Sequence, residues 1–92
     1  MTNRERYDSL IEEGRRTAAA KEALYYAAQC GSRASSWNWA DLALEALSST
    51  PKAQAALRTA LGSGSFPDTR AGLDALDDIL AAQAARKKAG AQ

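Results

Sequence analysis

The stretch TPKAQAALRTALG, Thr50 to Gly62, carries both ends of a helix and its buried face. Thr50 reads as the N-cap and Pro51 as the first helical residue, where its missing amide costs nothing. Ala53, Ala56, Leu57, Ala60 and Leu61 recur at the three-and-four spacing of one helical face. Gly62 closes the segment. A helix over 51–61 follows, with a core made of alanine and leucine. The whole chain shares this character: Ala, Leu, Glu, Lys, Arg and Gln dominate, with no Val, two Ile and one Phe. These are strong helix formers, and the β-branched aliphatics of strands are scarce.

Upstream, SSWNWADLAL (Ser35 to Leu44) holds both tryptophans. Ser36 or Asn38 would cap a second helix over 37–48, with Asp41 in its first turn. Its core face would carry Ala40, Leu44 and Leu47. Residues two apart on a helix point about 200° from each other, so Trp37 and Trp39 cannot share one core. By phase, Trp37 is the core anchor and Trp39 the ring left for contact.

Further upstream, Thr2 and Glu5 form a capping box. From there an apolar or small stripe runs through Tyr7, Leu10, Ile11, Gly14, Thr17, Ala18, Leu24, Tyr25 and Ala28. The spacing predicts one helix over 3–30, bent at Gly14 and stopped by a left-handed Gly31. Tyr25 and Tyr26 lie about 100° apart around its axis, which places Tyr25 in the core and Tyr26 on the rim.

Downstream, Gly62-Ser63-Gly64-Ser65 is a connector into a fourth helix over 68–88. Its stripe is Leu73, Leu76, Ile79, Leu80 and Gln83, and Asp74, Asp77 and Asp78 lie outside. Gly72 would weaken its start and shift the ordered helix toward Leu73, and residues 89–92 would fray. A spacing of 31 residues relates Lys21–Leu42 to Lys52–Leu73, including Gly-Ser at 31–32 and 62–63, as an internal duplication would.

The expected fold is therefore all-α: a compact antiparallel bundle of three to four helices in a single domain. A chain of 92 residues buries roughly 60–65% of its extended surface, and self-association would be a ready source of further core. The net charge of +1 and pI near 7.9 lack the basic footprint of a nucleic-acid domain. One cysteine, Cys30, precludes an intrachain disulfide and fits a reducing compartment. The sequence has no apolar run of membrane-spanning length, and MTNRERYDSL lacks a signal-peptide core, so a cytoplasmic location is expected.

Histidine is absent, which removes the commonest general base and metal ligand. Cys30 has no usual activating base, and the Gly-Ser connector lacks the lysine of a phosphate loop. No enzyme activity, cofactor or metal site is expected. A helix-turn-helix over Ala40–Leu61 would offer only Lys52, Gln54 and Arg58 to DNA. Arg with Tyr and Trp is the composition of interface hot spots. Trp39, Tyr26, Arg33, Arg15 and Arg16 are thus the candidate partner contacts.

The expected function is a non-catalytic protein–protein interaction module, a small regulator or inhibitor that occupies a partner's surface. Phage-encoded antagonists of bacterial systems share its size and composition. The alternative is an oligomeric binder of an anionic, nucleotide-like ligand held by stacking and phosphate pairing. DNA binding comes third.

Overall fold

The computed structural model describes residues 2–90, with side chains described through Arg86. It is all-helical over those residues: α1 (Asn3–Glu12), α2 (Arg16–Gln29), α3 (Arg33–Ala46), α4 (Pro51–Leu61) and α5 (Thr69–Gly90). No described helix is long and apolar enough to cross a membrane.

The expected first helix is two helices. Gly14 adopts φ 77°, and the chain reverses there instead of bending. The Gly14 amide donates to Ile11 O at 3.0 Å and the Arg15 amide to Leu10 O at 2.9 Å. This is the paired closure of a Schellman motif, which needs a residue free to be left-handed. The stripe looked continuous because the two helices fold onto the same core. Tyr7 and Leu10 of α1 are buried, as are Ala19, Ala20, Ala23, Leu24 and Ala27 of α2. The capping box holds as expected, with Thr2 Oγ1 accepting from the Glu5 amide at 3.1 Å.

Gly31 is not the left-handed stop. Positive φ among the glycines belongs to Gly14 and Gly62, and α2 ends through an extended Cys30. The third helix then starts earlier than expected, because Ser32 is the cap and accepts from the Ser35 amide at 3.2 Å. Ser36 lies inside α3, 2% exposed, and its hydroxyl donates across to the Ala27 carbonyl at 2.9 Å. Ser32→Ala is expected to cost about 1 kcal/mol in urea unfolding, whereas Asn38→Ala, at an exposed position inside α3, should be neutral or slightly stabilising through helix propensity. Equal losses at the two positions would contradict this assignment of the cap.

The buried face of α3 is Ser36, Ala40, Ala43 and Ala46, with Leu47 buried at its C-cap; Leu44, expected on this face, is only half-buried. Small side chains on both α2 and α3 let these helices approach closely, and α2 also packs against α1 and α5. α2 is thus the central helix.

α4 spans the expected residues, with Pro51 in its first turn and Gly62 at φ 72° closing it. α5 starts at Thr69 rather than near Leu73, because Asp68 Oδ1 accepts from the Ala71 amide at 3.1 Å. Gly72 is buried where α5 crosses α2 and α4. A Cβ there would lie 2.8 Å from Leu61 Cδ2, 2.9 Å from Leu24 Cδ1 and 3.4 Å from Leu57 Cδ1. The missing side chain is what seats the helix. α5 persists through Gly90, so the fraying expected for residues 89–92 does not begin before Gly90, and residues 91–92 lie outside the described residues. The proposed 31-residue relation does not extend to the loops. Residues 30–32 join α2 to α3 tightly, whereas residues 62–68 form a longer bent connection.

Candidate interaction surface

The sequence directs attention to the aromatic residues, and the structure uses most of them internally. Tyr7 is 4% exposed, and its hydroxyl donates to the Leu42 carbonyl at 2.7 Å. Trp39 packs between two tyrosines, edge-on to Tyr7 at 6.4 Å and tilted against Tyr26 at 4.9 Å between ring centroids. Such pairs add about 0.5–1.5 kcal/mol beyond area burial. The ring expected to be left for contact therefore joins α1, α2 and α3. Trp37 lies half-buried on the opposite flank of α3, and its indole N–H donates to the Gly64 and Ser65 carbonyls, each at 3.1 Å. It anchors the α4–α5 loop rather than the centre of the core. Tyr25, expected as a core anchor, is 48% exposed. The break at Gly14 re-phases α2, and Leu24 takes the inward position at 0% exposure.

Beside the aromatic seam, Arg6 donates to Glu22 Oε1 at 3.0 Å. Partial burial pushes the Glu22 carboxyl up, but the Tyr26 hydroxyl and the Arg6 guanidinium outweigh it and hold the group below the usual carboxylate range. A folded-state pKa below the unfolded one stabilises the protein above the ordinary carboxylate value near 4.3. That contribution is lost as pH falls through the lowered folded value. Glu22→Gln should therefore lower the urea midpoint at pH 7 and flatten its decline below about pH 4.5. Parallel wild-type and variant profiles would refute the coupling.

Large exposed apolar side chains occur at Tyr25 of α2, at Phe66 in the α4–α5 loop and at Leu80 of α5, and only the last stands beside apolar grooves. Lys21 Nζ meets Asp77 Oδ1 at 2.9 Å, and the space above Gly72 borders Leu24. α5 therefore runs antiparallel to α2. Gly72 also borders Leu57 and Leu61, while Ile79 and Arg86 lie across from Ala53 and Lys52, so α5 is antiparallel to α4 as well. With 22 residues against the 11 of α4, α5 runs past the start of its neighbour. Its inward stripe outlasts the core: Gly72 and Leu76 are buried, Ile79 and Gln83 half-buried, and Leu80 is 37% exposed.

Two grooves flank this stretch, and Gln83 lines both. One, of about 430 Å³, has Pro51, Ala53, Ala56, Ile79 and Ala82 as its apolar lining, with Lys52 and Arg86 at its edge. The other, of about 480 Å³, has Ala18 and Leu80 beneath Arg15, Arg16 and Lys21. Among the described residues, every ionisable side chain lining either groove is basic.

Of the five expected contact residues, Arg15 and Arg16 lie together on this surface. Tyr26 and Trp39 belong to the aromatic seam. Arg33 stands apart, beside Trp37 in a shallow concavity of about 420 Å³. Leu80, Lys52 and Arg86 also line these grooves and are not among the five expected contacts. The available signal for them is the length of the fourth stripe, which exceeds that of the third.

The fold and this surface define a small all-α protein with a basic, apolar-floored face. No protein-family model matches the chain, and no curated protein or solved structure is significantly similar to it.

Proposed function

We propose that this chain is a non-catalytic protein–protein interaction module, a small regulator or inhibitor that occupies a partner's surface through the grooved face of α5. One observation carries the reading: the inward stripe of α5 continues past the core into partly exposed Ile79, Leu80 and Gln83, between two grooves whose described ionisable lining is basic. Burying such a floor supplies an apolar driving force for association, and the surrounding charges select and steer the partner.

The nucleotide-binding alternative needs rings and arginines side by side. It is supported at Arg33 and Trp37, where the indole N–H is already given to the loop carbonyls. The DNA-binding alternative loses part of its recognition set, since the Gln54 amide donates to the Leu44 carbonyl at 2.8 Å.

Affinity capture from the native host tests the proposal with the wild type beside Leu80→Glu and Arg33→Glu. The Arg33 variant should retain the partner, and the Leu80 variant should lose it at least tenfold with its helical spectrum intact. A partner kept by Leu80→Glu and lost by Arg33→Glu would move the interface to the Trp37 concavity.

A further inference from the structure

We infer that the element seated on the α5 face is an acidic amphipathic helix of another protein, an inference that rests on the interaction-module reading above. The two grooves meet at Gln83 and form an apolar floor with cations on both sides. Arg15 and Arg16 stand on the side of the α1–α2 turn, Lys52 and Arg86 on the side of α4. Lys21 is already paired with Asp77. A ligand matching this layout carries an apolar stripe with acidic residues along both edges. An amphipathic helix has that layout, with its anchors at i, i+3, i+4 and i+7.

The lining also separates protein from nucleic acid. The floor is aliphatic, built by Ala18, Ala53, Ala56, Ile79 and Leu80. Single-stranded nucleic acid is held largely by stacking on aromatic rings; Tyr7, Tyr26, Trp39 and Trp37 serve the α1–α2–α3 seam and the α4–α5 loop, and the two exposed rings, Tyr25 and Phe66, line neither groove. Phosphate pairing alone would leave the aliphatic floor wet.

The test is a titration followed by amide NMR shifts, with three probes. The first is a synthetic helical peptide of about 18 residues, long enough for appreciable helix, with a Leu stripe flanked by Glu. The second is the same peptide with Lys in place of Glu, and the third is a short DNA duplex. The acidic peptide should shift Ala18, Ala53, Leu80 and Gln83, and bind at least tenfold tighter than the Lys peptide. Arg15→Glu with Arg16→Glu should weaken it about tenfold, as should salt near 1 M, where the screening length is about 3 Å. Arg33→Glu should leave it unchanged.

Equal binding of the two peptides, shifts confined to another face, or competition by duplex DNA at equal affinity would each overturn the inference. So would light scattering that shows wild-type dimers broken by Leu80→Glu, since a second copy would then be the occupant. If the acidic peptide fails while Leu80→Glu still abolishes partner capture, the acidic-helix inference falls and the interaction-module reading stands.

Discussion

Leu57→Ala is expected to destabilise the protein by about 3 kcal/mol, the middle of the range for deleting a fully buried leucine. Leu57 is 0% exposed and sits where α4 meets α5, among Leu24, Leu61 and Leu76 of the same core cluster. The effect is large relative to the whole. A chain of 92 residues holds roughly 5–14 kcal/mol in total. At about 4–8 °C per kcal/mol for a domain of this size, the melting temperature should fall by about 12–24 °C. Much of this core is alanine, so few large side chains are present to relax into the cavity. Calorimetry or a circular dichroism melt reads the result directly. A loss below about 1 kcal/mol would mean that α4 and α5 do not form the packed layer described.

The second large effect is at Gly72. An alanine there gains about 1 kcal/mol of helix propensity over glycine. Its Cβ, however, meets Leu61 and Leu24 at 2.8 and 2.9 Å, and overpacking of this kind costs about 1–3 kcal/mol. Gly72→Ala should therefore cost about 1 kcal/mol net. Gly72→Val adds two methyl groups without alanine's helix preference and should cost about 3 kcal/mol. The cause is separable from a general intolerance of substitution. Combined with Leu61→Ala, Gly72→Val should cost clearly less than the sum of the two single changes, because each relieves the other's packing error. Strict additivity in urea unfolding would remove Leu61 as the obstacle.

These two positions also mark how far local reading reached. The helix over 51–61 was readable to the residue because its cap, its proline and its closing glycine all lie within the stretch itself. Gly72 was misread because propensity scores glycine as a weak helix former, whereas its role depends on three leucines from α2 and α4. Gly14 reads in the sequence as a bend, but a bend and a reversal share one stripe when both helices face the same core. The tryptophans lie on different flanks of α3, but both rings pack against the one core cluster, contrary to the phase argument. Which of them meets other rings depended on where α1 folds back, and that is a long-range fact. Composition named Arg15 and Arg16 as candidates, and both line one of the α5 grooves. Leu80 was assigned to the core, because a stripe in sequence carries no mark of where its neighbours begin.

The two indoles also divide the molecule optically. Trp37 is bonded to the carbonyls of Gly64 and Ser65, so its emission follows the polarity of the α4–α5 loop. Trp39 sits against Tyr7 and Tyr26, close enough to receive energy absorbed by those phenols. A chain that keeps only Trp39 reports the parting of α1 from the rest as a fall in sensitised emission by the share of Tyr7, because Tyr26 of α2 stays beside the indole. A chain that keeps only Trp37 reports release of the loop as a red shift. Two local openings of one small domain thus have separate native probes, with no added label.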